Sequence, residues 1–194
     1  LTSVLTDAAN LAQVLLSSLA NQSHFTDVIA IAFDVAFDPA KLERLRLAWA
    51  AGDFSQLPPV EVRPTQDINQ AAGAFAQQTN TIYLSQEFVA APIQSAPPIQ
   101  RGSANAGISN PPARIANILL EEIGHWLDTQ INTQEAPGDE GAIFSALVRG
   151  ELLSPQQLQA LKTENDHATV ILDGQPVAIE QAVVAISGQA EQID

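Results

Sequence analysis

Three ionisable side chains crowd into five positions of an apolar stretch, Leu119-Leu120-Glu121-Glu122-Ile123-Gly124-His125-Trp126-Leu127-Asp128. On a helix turning about 100° per residue, Glu121 and His125 stand about 40° apart, and Asp128 joins their face. Leu120, Ile123 and Leu127 form the neighbouring stripe that must pack inward, so the polar groups lie near the buried side. Burying a carboxylate beside an imidazole is unfavourable unless the two pair or share a cation. A cation gains weight from Asp139-Glu140, a second acidic pair that opens the next helical segment 15 positions after His125. Without a cation, His125 would pair with Glu121 or Asp128 as a hydrogen-bonded group.

The elements that position these residues read as α+β. Leu5, Leu11, Val14, Leu15 and Leu19 recur at helical spacing over 2–20. A segment over 25–33, with Ser23 as a cap, is ambiguous between helix and strand. Asp38-Pro39 starts a helix that carries Leu42, Leu45, Leu47 and Trp49 into the core and stops at Gly52. Short strands follow at 60–63, 73–76 and 81–84, the last two joined by the polar turn Gln77-Gln78-Thr79-Asn80, and Ser85 caps a short helix. Residues 91–112, rich in Pro and Gly, form a long loop of the kind that flanks a cleft. Helices are predicted over 113–130, from Asp139 towards Arg149, and from Ser154-Pro155 to about Asn165. A hairpin over 168–180 turns at Asp173-Gly174. The expected organisation is one domain, 1–186, with a helical part (1–52), a sheet with the metal-site helices (60–150) and a closing helix and hairpin (154–186). Residues 187–194 read as a tail or linker.

Composition narrows the function. Twenty-two Asp and Glu against 8 Lys and Arg give a net charge of −14, which disfavours nucleic acid and anionic membrane surfaces. No apolar run approaches the roughly 20 residues a membrane span needs. The absence of Cys removes thiolate ligands, disulfides and a Cys nucleophile. No serine sits in a recognisable nucleophile turn, and no Gly-rich phosphate loop occurs. A chain starting at Leu1 and lacking Met reads as a module of a longer polypeptide.

Glu121 to His125 resembles the zincin metallopeptidase signature His-Glu-x-x-His with Glu in place of its first His. Asp139-Glu140-Gly141-Ala142-Ile143-Phe144 is similar to the downstream helix of Glu-type zincins, and Thr81-Ile82-Tyr83-Leu84 to their substrate-lining edge strand. The resemblance spans roughly residues 60–150. It implies a zincin-like fold, Glu121, His125 and Glu140 as metal ligands, and Glu122 as the general base acting on metal-bound water. Asp128 would orient His125 through its other ring nitrogen, Asp139 stands beside the ligand Glu140, and His167 or Tyr83 would supply transition-state stabilisation. Two carboxylates and one imidazole make a harder site than the usual zincin set. Zn²⁺ is the first expectation, and Mn²⁺, Fe²⁺ and Ca²⁺ become more competitive.

The implied function is a metal-dependent peptidase acting on a peptide or protein substrate, in a setting such as a large secreted bacterial protein where self-processing is a natural role. The alternative is a non-catalytic zincin-like module that binds metal or a partner. A repeat of Glu-x-x-His at Glu164 and His167 suggests a di-iron bundle, but His167 falls where a helix gives way to a strand. Asn165-Asp166-His167 then reads as a polar turn, and His24 as solvated.

Overall fold

The computed structural model describes residues 2–34, 36–91 and 110–182. Of the expected cleft-flanking loop, 91–112, residues 92–109 lie outside the described residues, as does the tail, 187–194, while Pro111 and Pro112 open a helix rather than ending the loop. The chain runs through α1 (Thr2–Ala20), α2 (Phe25–Phe33), α3 (Pro39–Ala50), β1 (Val60–Arg63), a 3₁₀ turn (Thr65–Ile68), β2 (Gly73–Ala76), β3 (Thr81–Ser85) and α4 (Gln86–Ala90). It continues with α5 (Pro111–Ile131), α6 (Glu140–Val148), α7 (Pro155–Leu161), β4 (His167–Leu172) and β5 (Gln175–Ala182). The α+β class is as expected, with a mixed five-stranded sheet ordered β1-β3-β2-β5-β4. Among the described strands only β1 and β3 pair in parallel; the other neighbours are antiparallel.

Local chemistry explains the element starts. Asp38 caps α3 by accepting from the amides of Ala40 and Lys41, and Ser85 caps α4 by accepting from Phe88. Ser154 and Gln157 form a reciprocal capping box at α7. The 25–33 segment is a helix, and its N-cap is His24 rather than Ser23. The closing helix is shorter than expected and ends at Leu161, where Thr163 turns its hydroxyl back onto the carbonyls of Gln159 and Ala160. Asp173 and Gly174 both have positive φ, as a two-residue type I′ hairpin turn requires.

The main core lies on one face of the sheet, where α5 packs against α1, α6 and β2. Its contribution from α1 comes from Ala8, Ala12, Leu16 and Leu19, whose small members let α5 approach closely; Val14 faces solvent. Leu47 is likewise exposed, whereas Trp49 is buried. Strand alternation then sorts the sheet. Phe75, Ile82 and Leu84 face the helices. Ala74, Tyr83, Val177 and Ile179 face the opposite side, where they pack with Ile68, Val170 and Leu172. Among the described strands β3 is interior, flanked by β1 and β2, so it does not form the edge strand expected of a substrate-lining element. A parallel β1 covers the side that was expected to be free. No described helix is long and apolar enough to cross a membrane.

Candidate metal centre

Two glycines bring the site helices together. A Cβ on Gly124 would lie 2.7 Å from Gly141 Cα, and one on Gly141 would lie 2.6 Å from both Cε1 and Nε2 of His125. The α5 and α6 backbones therefore meet with the His125 ring laid directly over Gly141. Asp139 caps α6 through the Ala142 amide, which fixes Glu140 at the first turn and aims it back at α5.

His125 is completely buried, and the charged side chains paired with it are all acidic. Its Nδ1 lies 3.0 Å from both Glu140 Oε1 and Glu180 Oε2. Its Nε2 lies 3.5 Å from Asp166 Oδ2 and 3.9 Å from Asp139 Oδ1. Four residues, His125, Glu140, Asp166 and Glu180, each offer one ligand atom within 4.8 Å of the others. Donors on opposite sides of an ion stand two bond lengths apart, about 4.2 Å for Zn²⁺ and about 4.8 Å for Ca²⁺. The group is thus spaced as one ion requires. His125 Nε2, Glu140 Oε2 and both Asp166 oxygens are buried with no hydrogen-bond partner among the described residues. Unpaired buried polar atoms of this kind are rare in proteins and call for a missing partner.

The expected residues separate into those the fold gathers and those it does not. His125 and Glu140 meet. Glu121 sits one turn before His125, half-buried, and is not a member of the four-residue group. Burial, helped by the Asp139 charge, pushes its carboxyl up to about 8. Glu122 is fully buried on the sheet side, where Oε1 accepts the Ala182 amide at 3.2 Å and Oε2 has no partner among the described residues. Asp128 does not orient His125: its oxygens accept from the Asn132 side chain and the Ala136 amide, tying down the α5–α6 connection. Tyr83 faces the far side of the sheet and meets the Thr79 hydroxyl, because period-2 alternation turns it away from its neighbours Ile82 and Leu84. His167 is half-exposed and pairs with Glu135 at 2.7 Å.

Asp166 and Glu180 escaped the sequence reading. Glu180 carried a signal: Val177 and Ile179 face one side of the hairpin, so Glu180 must face the other, towards the helices. Asp166 carried none, since a residue ahead of a strand reads as turn.

The electrostatics agree with the geometry. Burial raises the carboxyls of Glu122, Glu140 and Asp166, and pushes Asp139 up to about 6. Burial alone would lower His125, but the hydrogen bonds and charges of Glu140, Glu180 and Glu122 outweigh it and hold the imidazole well above its usual range. Acidic groups buried at a cost thus surround an imidazole that they favour in its charged form. Beside the centre, Glu135, His167 and Glu180 line an open cavity of about 530 Å³ with Gln77, Gln78 and Thr169, and Glu180 separates it from His125. Comparison with protein-family models, with curated proteins and with solved structures finds no match for the chain.

Proposed function

We propose that the chain is a divalent-cation-binding module whose ion is held by His125, Glu140, Asp166 and Glu180. The carrying observation is that His125, Glu140, Asp166 and Glu180 bring one ligand atom each within 4.8 Å of the others, with both Asp166 oxygens and Glu140 Oε2 buried and without a partner among the described residues. One imidazole with three carboxylates is a hard to borderline donor set suited to Zn²⁺, Mn²⁺ or Fe²⁺, with Ca²⁺ next. The ion would neutralise acidic groups that the fold otherwise buries at a cost, which makes it a part of the folded state. Purified protein should carry about one ion per chain. At a hundredfold excess over its dissociation constant the ion should add about 2.7 kcal/mol, a Tm rise of about 5–11 °C. If metal analysis finds none and no added Zn²⁺, Mn²⁺ or Ca²⁺ moves Tm, the proposal fails.

A second reading, an atypical zincin-like metallopeptidase, is favoured by one specific observation. Glu122 stands on the same helix as His125 with one carboxylate oxygen buried, partnerless and raised in proton affinity, as a proton carrier should be. A bound ion would supply Lewis-acid polarisation and water activation, and Glu122 would hold the proton. Extracellular placement, a peptide substrate and self-processing belong to this reading and rest on the motif resemblance. A Glu122→Gln variant should bind the ion as before and lose any cleavage of casein or of its own chain. Retained cleavage would remove Glu122 from the chemistry.

A further inference from the structure

We propose that the ion is the latch that seats the C-terminal hairpin, and that β5, once seated, seals Glu122 away from solvent. This rests on the cation reading above and adds the coupling between the ion and one movable element. Two of the four ligand groups, Asp166 and Glu180, come from the segment that enters and forms the hairpin; the other two come from the fixed helix pair. An ion that binds all four ties the hairpin to the helices.

The remaining attachments of the hairpin are limited. β4 and β5 pair with each other along the hairpin from His167↔Glu180 to Leu172↔Gln175. Among the described residues β5 pairs with the rest of the sheet at Gly73↔Ala182, Ala74↔Gln181 and Phe75↔Glu180, and Asn69 donates to the Gln181 side chain. Its far face adds Val170, Leu172, Val177 and Ile179 to a small apolar cluster, and Arg63 pairs with Asp173 at the turn. Seating the hairpin also carries the Glu180 and Asp166 carboxylates into a pocket that already holds Glu140 and Asp139, with Glu135 and Glu121 close by. His125 is the buried base that faces them, and His167 lies outside, on Glu135. Without an ion the like charges oppose seating; with one, Glu140, Asp166 and Glu180 become its ligands.

Seating has a definite consequence at Glu122. The Ala182 amide donates to Glu122 Oε1, and Ala182 accepts the amide of Ala72 at 3.0 Å, so β5 lies across the carboxylate as a main-chain cover. Unseating it would leave β2 as a free sheet edge beside Glu122 and His125, open to an extended polypeptide that adds as a strand.

The test is hydrogen exchange by mass spectrometry on the whole chain, with Zn²⁺ or Mn²⁺ in excess and again after chelation, alongside calorimetric titration of each ion. The expected result is ion binding together with an at least tenfold faster exchange of residues 167–182 after chelation, while α1 and β3 hold their protection. Ion binding with unchanged hairpin exchange overturns the latch and leaves the cation site standing. Absence of ion binding overturns the cation reading itself, and the latch with it. Glu180→Gln preserves shape and removes one charge. It should weaken ion binding at least tenfold yet slow hairpin exchange in the ion-free protein relative to ion-free wild type. Faster exchange there would show that Glu180 is merely a structural contact and overturn the proposal.

Discussion

The sharpest test of the site's geometry is Gly141→Ala, because two principles give it opposite signs. Gly141 lies in the first turn of α6 with ordinary helical backbone, and at such a position Ala is favoured over Gly by about 1 kcal/mol of helix propensity. The structure overrides this. The new methyl would stand 2.6 Å from the Glu121 carbonyl oxygen and 2.6 Å from Cε1 and Nε2 of His125. Ordinary contacts need about 3.5–4.0 Å, so helix and ring must separate by about 1 Å. Overpacking of this kind costs about 1–3 kcal/mol, which for a chain of this size lowers Tm by about 2–12 °C. The same displacement would carry the His125 ring away from Asp166, so ion affinity should fall with stability. Thermal unfolding with and without Zn²⁺, together with calorimetric titration, reads both effects. Gly124→Ala is a companion, since its methyl would meet the Gly141 backbone at 2.7 Å rather than the ring. A Gly141→Ala protein as stable as wild type, or more so, with unchanged affinity would refute the packing of α5 on α6 and the site built on it.

Further expectations follow from individual groups. Asp166→Asn should weaken the ion at least tenfold while raising the Tm of the ion-free protein, as both Asp166 oxygens are buried and partnerless; differential scanning fluorimetry with a chelator checks the sign. Asp128 is raised to about 6, chiefly by burial, from an unfolded value near 3.8. The folded state therefore binds more protons between those values, and stability falls as pH rises through them. Asp128→Asn removes that fall but loses one accepted hydrogen bond. It should be less stable than wild type near pH 4, with the gap narrowing by pH 7 in a Tm series; a gap independent of pH would contradict the burial argument. Ser154→Ala, which breaks the capping box of α7, should cost about 0.5–2 kcal/mol and leave ion affinity untouched, so a coupled loss would show that α7 reaches the site.

What the sequence reveals depends on whether the determinant is local. Caps, the type I′ turn and the helix pair with His125 and Glu140 rest on neighbours within a few residues, and these are readable. Helical spacing also locates α1, but leucine is a poor guide to its buried face. Close packing on α5 selects Ala8 and Ala12 and leaves Val14 outside. Strand order is non-local: nothing near Thr81–Leu84 announces that β1 will return in parallel beside it. The same holds for the ligand group. Asp166 and Glu180 reach His125 only because β5 crosses to pair with β2, a contact between residues more than a hundred positions apart. Glu121 shows what helical phase alone leaves open. Its helical phase matches His125, yet it lies outside the group that forms around that ring, because ligand convergence depends on what packs opposite the helix as well as on phase.

A metal ion and a protonated His125 are two ways to place positive charge at the centre, and they differ in charge balance. An imidazolium could donate from Nδ1 to Glu140 or Glu180, both at 3.0 Å, and would do so with one positive charge. Asp166, with both oxygens buried and unbonded, would gain only a long contact of 3.5 Å from Nε2. At 3 Å and an effective dielectric of about 20, each close ionic pair is worth about 5–6 kcal/mol. Three ionised carboxylates around one monovalent cation also repel one another, which offsets much of that attraction. A divalent ion doubles every attractive contribution and leaves the repulsions unchanged. It also occupies the lone pairs of Asp166 and Glu140 that an imidazolium cannot reach. On the cation proposal His125 would serve as a neutral ligand, whereas in the ion-free protein its acidic neighbours favour the imidazolium. Ion binding should therefore release a proton, which calorimetry in buffers of different ionisation enthalpy detects.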